Sequence, residues 1–470
     1  MTTPDPGHVA GLLRRTAFAD RVEHARRRSE LPWEPWPPTA PAPSHDTGAA
    51  LWNLLHLGRR PDHRPDPDLV PRLAALGLTD GTGAPGRWEV TAFRGLLAAR
   101  DRPGTAGGGA GDVYIGEDSL RFVDTILRAR PGGRALDVGC GSGITTCALA
   151  LGCAEVTGAD LQRSCVEATA LSAALNGLGD RVRTWHGDFF RDYAPDAPLN
   201  CVVANLPYVP VPPGLRYSPA GDGGPDGLDL NRRLLRRAAG LLDPRDGLLV
   251  TRFQSLGDAS GPLLLPDIEA FAKEAGHDVT VVADGRTVPE VRAALTALHA
   301  LRHNPELTAG EVLATVDAHM GRFGQPHYFA CGMISRSGGT GVVTFTDLSG
   351  AVTLDDALAA VHDPSPGASE AALRLYRGRA LDLPDGFWEL GTADDVAAPG
   401  RRLPDLLGAL AGAGPAGVTG RDLAAAVFAD RFAADPLRAR ALFVTTELMA
   451  GCLADAGLVE LVEAEGGTAR

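Results

Sequence analysis

The chain has 470 residues, 44% of them apolar and 22% charged, which excludes general disorder; at about 150 residues per domain the length predicts roughly three domains. Lys and Arg number 45 against 58 Asp and Glu, a net charge of −13. Nucleic-acid affinity comes largely from Lys and Arg displacing counterions from phosphates, so this balance weighs against a nucleic-acid partner.

Residues 9–28 carry one amphipathic helical pattern, and the Pro/Trp-rich stretch after it (LPWEPWPPTAPAPS) predicts an extended strap or linker. Residues 49–57 and 67–76 predict helices, Gly81 to Gly86 a turn, and residues 88–93 an alternating strand. Two helices, a strand and a glycine-rich wing make a winged-helix-like module, without the dense basic run that would favour DNA. Residues 103–111 (PGTAGGGAG) read as a hinge. From 134 onward strands and helices alternate. Strands are expected at 134–138, 155–159, 182–186, 201–204, 247–253, 279–283 and 328–334, with helices at 145–151, 165–176 and 230–242. This predicts an α/β fold, a doubly wound seven-stranded Rossmann-like sheet with helices on both faces. Residues 286–322 interrupt the last two strands with helical spacing, and residues 400–463 read as helices around a small core. The expected domains are an N-terminal helical, winged-helix-like one over 1–110, a central one over 111–336 and a mostly helical one over 337–470.

No apolar run reaches eighteen residues, so no membrane span is expected, and the first residues lack the basic-then-apolar order of a secretory leader. Seven cysteines, an odd number without Cys-x-x-Cys spacing, fit a reducing cytoplasm rather than disulfides or zinc. His299 and His303 stand four apart with no third ligand in register, so no metal site is expected.

The chemistry concentrates at strand ends. The run Ala135-Leu-Asp-Val-Gly-Cys-Gly-Ser-Gly143 follows a buried strand and opens a helix. Gly139, Gly141 and Gly143 let the backbone turn sharply and a ligand approach it. Asp137 ahead of them is unwelcome beside a phosphate but suits a positive amino group; S-adenosyl-L-methionine has an α-amino group, a sulfonium and no phosphate. Asp160, at the end of the second strand, can bind both ribose hydroxyls, with Leu161 beside it. Asp188, after the third strand, can accept from the adenine amine, and Phe189 can lie on the ring.

The fourth strand ends Ala204-Asn-Leu-Pro-Tyr208. Here the sequence resembles class I S-adenosylmethionine-dependent methyltransferases with an Asn-Pro-Pro-Tyr-type motif, which implies methylation of a planar nitrogen. The Asn205 side-chain oxygen and the carbonyl of Leu206 or Pro207 can take the amine hydrogens, so that the lone pair aims at the methyl carbon. Tyr208 can stack on the planar group. Position 206 is Leu, a form that also resembles ribosomal RNA adenine dimethyltransferases. Gly223-Gly-Pro-Asp-Gly-Leu-Asp229 looks like a segment of release-factor glutamine methyltransferases. Val113-Tyr-Ile-Gly-Glu-Asp-Ser119 resembles the stretch those enzymes lay over the donor, which brings Tyr114 into the donor site. The flanking regions resemble actinobacterial multidomain methyltransferases.

The expected activity is N-methylation of an amide, amine or guanidine on a small amino-acid-derived molecule or a protein side chain, with natural-product tailoring one setting. Asn205, Pro207 and Tyr208 are the expected catalytic group, with Asp222 and Asp226 as candidates to bind or deprotonate a cationic acceptor, and Asp229 as a helix cap. The alternatives are a nucleic-acid adenine methyltransferase and a catalytically silent donor-binding protein. Homodimerisation through a flanking domain stays open.

Overall fold

The computed structural model describes residues 6–16, 51–56, 69–80, 82–102, 113–287, 289–301 and 303–348, with shorter pieces at 18–22, 372–375 and 409–462. The Pro/Trp strap and the 103–111 hinge lie outside these residues.

One mixed sheet organises the centre of the chain. β3 (Arg134–Val138) pairs in parallel with β4 (Glu155–Asp160) on one side and β6 (Cys201–Ala204) on the other. β5 (Val182–His186) lies parallel beyond β4, and β7 (Leu248–Asp258) parallel beyond β6. The direction then reverses, with β10 (His327–Ser337) antiparallel to β7 and β9 (His277–Thr287) antiparallel to β10. All seven expected strands are therefore present, but the sheet has nine. β11 (Val343–Asp347) adds in parallel to β9, and the two-residue β8 (Gly261–Pro262) folds back on β7. The expected domain boundary at 336 is thus too early. β11 is half-exposed, with Val343 and Phe345 packed on the core and Thr344 and Thr346 exposed, an alternation too short to stand out in the sequence. Asp278 holds its approach by accepting from the Thr340 and Val342 amides at 2.8 and 3.1 Å.

The inner strands are largely apolar because both faces are covered. Leu136 and Val138 of β3, Val202 and Ala204 of β6 and Leu249 of β7 point to one core. There α7 (Asp229–Ala238) and α8 (Leu265–Ala275) supply Leu234, Leu235, Ile268 and Phe271. Ala135, Cys201, Val203, Leu248 and Val250 point to the other core, against α3 (Glu117–Ala129) and α4 (Ile144–Ala150). Along β3, Asp137 alternates onto this second face. Order reverses between β3 and β6, so the crevice where doubly wound sheets bind ligands opens beyond their carboxyl ends.

The N-terminal region is built on this core rather than beside it. It contains α1 (Pro6–Arg15), a π-helical turn (Trp52–His56), α2 (Val70–Ala75) and a hairpin of β1 (Trp88–Phe93) and β2 (Leu96–Asp101). β2 was not anticipated. β1 was expected to alternate, yet all six of its residues are buried. Its apolar side joins Val9, Leu13 and Leu73 over α5 (Arg163–Leu175), while Phe93, Leu96 and Ala98 of the hairpin enter the sheet core beside α3. Its polar side is covered too: Glu89 pairs with Arg100 at 2.7 Å, in contact with His56 at 3.8 Å. A winged-helix wing would stand in solvent; this hairpin is an internal wall. The Ser172 hydroxyl of α5 accepts from the Ala99 amide at 2.9 Å and donates to the Ser142 carbonyl at 2.7 Å. It thereby ties hairpin, helix and glycine loop together.

In the C-terminal region, short helical pieces at 409–426 apart, the described residues form a three-stranded antiparallel sheet. Its order is β13 (Val418–Thr419), β12 (Ala372–Leu375), β14 (Val459–Val462). The expectation of a mostly helical domain did not include these strands.

Ser172→Ala would leave a buried amide and a buried carbonyl without a partner, at about 1–3 kcal/mol each. The variant is expected to unfold in urea at a clearly lower midpoint in a single transition spanning hairpin and sheet. Separate transitions would mean that the N-terminal region folds independently.

Candidate active site

The glycine loop is shaped by three left-handed residues, Gly139, Gly141 and Gly143, at φ of 74°, 51° and 79°. Gly143 has a second constraint: a Cβ there would lie 2.6 Å from the Thr169 Cα of α5. At Gly141 the nearest atom to an added Cβ is 4.0 Å away, so that position opens onto free space. The loop hangs from β4, because the Gly139 and Cys140 amides both donate to the Ala159 carbonyl, at 2.8 and 3.1 Å.

Asp137 is buried beneath it. Its Oδ2 accepts from the Thr145 and Thr146 hydroxyls at 2.5 and 2.6 Å, while its Oδ1 is buried without a partner. Burial pushes its pKa up to about 6, against the pull of the two hydroxyls. A buried carboxylate oxygen with free lone pairs invites a donor, and an ammonium group is the strongest available. Asp160 receives the Gly141 amide on Oδ2 at 3.1 Å and the Gln162 amide on Oδ1 at 2.9 Å. Burial raises its pKa. The Leu161 amide and the Cys165 thiol also bond to it, each pulling that pKa down. Asp188 follows β5 and caps α6 (Phe189–Asp192) through the Phe190 amide. Leu161 and Tyr114 stand exposed, at 67% and 58%.

These residues fit S-adenosylmethionine: an orphaned carboxylate oxygen for its amino group, an open glycine loop, and a further carboxylate at each of the next two strand ends. Phe189 departs from the expectation. Its ring is buried in the core, packed against Phe190 and Tyr193, with the Arg237 guanidinium 5.3 Å from its centroid. It therefore supports the pocket from below instead of offering a face to adenine.

Asn205 follows β6. Its Nδ2 donates to Asp118 Oδ2 at 2.9 Å, and its Oδ1 is buried without a partner. A carboxylate can only accept, so Asp118, near the start of α3, dictates the amide's orientation. Amide flips are otherwise ambiguous. Asn205 presents an oxygen, not an NH₂, to whatever lies beside it. The ring of Tyr208 is partly buried; burial, then the Asp118 charge, raises its pKa well above the usual tyrosine range. Leu206 is in the core, and an added Cβ on Gly139 would lie 3.5 Å from its Cδ2. Its side chain thus supports the donor loop.

The loop after Tyr208 packs backbone on backbone. A Cβ on Gly223 would lie 2.8 Å from the Tyr208 Cα, and one on Gly227 would lie 2.3 Å from the Tyr208 carbonyl oxygen. The glycine-rich segment is a clamp on the motif. Asp222 and Asp226 serve it locally, accepting from the Gly224 and Leu228 amides at 2.9 and 3.0 Å, and Asp226 also pairs with Arg232 at 2.7 Å. These hydrogen bonds give each carboxylate a turn-forming role. Asp229 lies inside the first turn of α7, with Leu228 at the cap position.

Two residues of the site were not anticipated from the sequence as acting here. Asp118 belongs to the Val113–Ser119 stretch, which resembles a segment laid over the donor, yet here it binds Asn205. Arg292 belongs to α9 (Pro289–Leu301), which with α10 (Ala309–Gly321) forms the expected insertion. Its guanidinium lies 5.8 Å from the Tyr208 ring centroid and 5.1 Å from that of Tyr328. No local signal marks it. His299 and His303 lie beside Tyr217, with ring centroids 6.4 and 6.3 Å from it. Among the described residues no cluster of three His, Cys, Asp or Glu could hold a metal ion, and no helix is long and apolar enough to cross a membrane.

Residues 101–208 match the family described as "Ribosomal protein L11 methyltransferase (PrmA)". A ribosomal protein uL3 glutamine methyltransferase of Bordetella pertussis is 39% identical over 127 residues, covering 25% of this chain and 42% of that protein. A release factor glutamine methyltransferase of Moorella thermoacetica is 40% identical over 129 residues, covering 25% and 45%. The chain spans about half the length of the curated relatives it matches. Among solved structures, an S-adenosylmethionine-dependent methyltransferase of Geobacter sulfurreducens in complex with S-adenosyl-L-homocysteine is 23% identical, with 46% of this chain and 90% of that one covered and a TM-score of 0.27. The resemblance read from the sequence is borne out for the central segment, whose likeness is to S-adenosylmethionine-dependent methyltransferases, glutamine methyltransferases among them.

Binding a cationic donor requires ionised Asp137. Affinity for S-adenosyl-L-homocysteine, which keeps the amino group, is expected to rise as pH increases through about 6 and then level off. Calorimetry across that range checks it. Asp137→Asn should weaken binding about tenfold and flatten the profile. In the unliganded protein the same raised pKa withdraws stability as pH rises through about 6.

Proposed function

We propose that the chain is an N-methyltransferase that moves the methyl group of S-adenosyl-L-methionine to the nitrogen of a carboxamide. The observation that carries this reading is the Asn205 side chain: Nδ2 held by Asp118 at 2.9 Å, Oδ1 buried and unpartnered. An acceptor NH₂ supplies the hydrogen that this oxygen lacks. A primary amide nitrogen has its lone pair delocalised into the carbonyl. Accepting its N–H bonds at Asn205 Oδ1 and at the Leu206 or Pro207 carbonyl localises electron density on nitrogen and fixes its direction. The Tyr208 ring gives the planar group a face to stack on.

Bound at the glycine loop, the donor supplies an electrophilic methyl group on a sulfonium that departs as a neutral thioether. The rest is positioning. Asp137, Asp160 and Asp188 anchor the donor, and Asn205 and Tyr208 hold the acceptor nitrogen in line, the arrangement from which an oriented displacement draws most of its rate. The spent nitrogen proton leaves to solvent after transfer. The names of the relatives support an amide acceptor, since the uL3 and release factor enzymes are glutamine methyltransferases. A cationic acceptor fits less well, because the Arg292 guanidinium stands 5.8 Å from the Tyr208 ring and would repel it.

Transfer of tritium from labelled donor to glutamine-containing peptides and small amides tests the reading. Asn205→Ala is expected to lower transfer by about 100-fold, the scale of a lost orientation. Asp118→Ala frees the amide to flip and should cost about tenfold, the worth of a hydrogen bond to a charged group. Equal background counts from wild type and Asn205→Ala over the whole panel would sink the proposal. Transfer to nucleic acid in preference to amides would favour the adenine alternative.

A further inference from the structure

We infer that Arg292 forms an anion-binding subsite beside Tyr208, and that the acceptor amide carries a carboxylate. The inference rests on the amide reading above and adds the acceptor's charge to it.

Arg292 is partly buried, and its surroundings are unusual for a cation. Its Nη2 donates to the Gln254 Oε1 of β7, and the Tyr328 hydroxyl of β10 is its other polar neighbour. The titratable groups that act on it, among the described residues, are the tyrosines Tyr328, Tyr208, Tyr217 and Tyr114. Among the described residues no carboxylate lies within ion-pair distance. Buried cations are normally paired, because a guanidinium taken out of water without an anion is unfavourable. Arg252 is held by Asp284 at 2.7 Å and Arg232 by Asp226 and Asp267 at 2.7 and 3.0 Å, while Arg237 donates to the Phe189 and Tyr193 carbonyls. Asp118, the carboxylate that also acts on Tyr208, is engaged by Asn205.

Gln254 and Tyr328 pin the guanidinium in place without neutralising it. Both are neutral, and the two aromatic faces stabilise the charge only in part, at about 0.5–2 kcal/mol for such contacts. A guanidinium has five N–H donors in a planar fork that matches a carboxylate. Those not taken by Gln254 and Tyr328 remain for a ligand. The fork stands beside the ring on which the acceptor's planar group would stack. An acceptor with its amide at Asn205 and a carboxylate a few bonds away meets both. Two sources supply that chemistry: a free amino acid derivative, or a peptide with an acidic side chain next to the modified residue.

Calorimetry on the full chain loaded with S-adenosyl-L-homocysteine tests this with matched probes, glutaric acid monoamide (an anion) against the neutral diamide. A second pair contains a glutamine-centred tripeptide flanked by Glu against the same peptide flanked by Gln. At least one anionic member is expected to bind about tenfold more tightly than its neutral partner, a difference of about 1.4 kcal/mol. The pair that shows it identifies the source. Arg292→Met should abolish the preference and Arg292→Lys should retain part of it, with homocysteine-donor affinity unchanged in both variants as the check on folding. Equal affinities within both pairs, no detectable binding of any probe, or a preference that survives Arg292→Met overturns the inference. The labelled-methyl assay on the same probes is separate: a preference that depends on Arg292 without transfer to any amide refutes the amide reading and leaves the subsite standing.

Discussion

A carboxylate has no hydrogen to give, and at Asn205 that simple fact sets the chemistry. Asp118 takes the Nδ2 hydrogen, so Oδ1 faces the pocket buried and without a partner. Everything that places Asp118 therefore bears on the amide. The helix that carries it is fixed by Phe122, Val123 and Ile126, which pack between the strand residues Ala135, Val203 and Val250 and the hairpin residues Phe93, Leu96 and Ala98. The N-terminal hairpin, whose own polar side is sealed by Glu89 and Arg100, is thus part of the support of one side-chain oxygen.

Charge is divided across the crevice by the order of the strands. Asp137, Asp160 and Asp188 terminate β3, β4 and β5, running toward one edge of the sheet. Arg292, pinned by residues of β7 and β10, lies on the other side. β6, and Asn205 after it, stand between. A cationic donor and an anionic acceptor would each meet a field of opposite sign on their own side and be repelled from the other. Low local dielectric makes both effects larger than in water. The net charge of −13 conceals this division, because a whole-chain sum averages over an arrangement that depends on position.

What could be read from the sequence was local in origin. The strand–glycine loop–helix run, the carboxylates at strand ends and the Asn205–Tyr208 motif each declare themselves within a few residues. So did the seven central strands, each a short stretch rich in apolar residues between glycine-marked turns, with β6 (Cys-Val-Val-Ala) apolar throughout. The unread parts depend on distant partners. Asp118 and Asn205 are 87 positions apart, and nothing near Arg292 announces a site. β1 carries polar residues on one side that in isolation signal solvent, and it takes Arg100 on the neighbouring strand to pair with Glu89. β11 is short, and what holds it is remote in sequence: the ladder to β9, the packing of Val343 and Phe345 on the core, and the capture of the Thr340 and Val342 amides by Asp278. Asp222 and Asp226 differ again. Closeness to a motif in sequence suggested chemistry, whereas their hydrogen bonds go to the turn itself.

The insertion that delivers Arg292 leaves the sheet at the end of β9 and returns at the start of β10, two strands already paired at Thr287 and Tyr328. Its ends are held together whether or not anything lies between them. Chain closure across such a fixed gap costs only slightly more as the segment grows, about 0.6 kcal/mol for each doubling of length. A hairpin tip is therefore a place where evolution can lengthen, shorten or exchange a segment without disturbing the donor loop or the strands below. On the proposed reading, Arg292 is carried on a replaceable cassette, while Asn205 is built into the framework. Divergence in what is methylated can then proceed at one hairpin, with the methylating apparatus left intact.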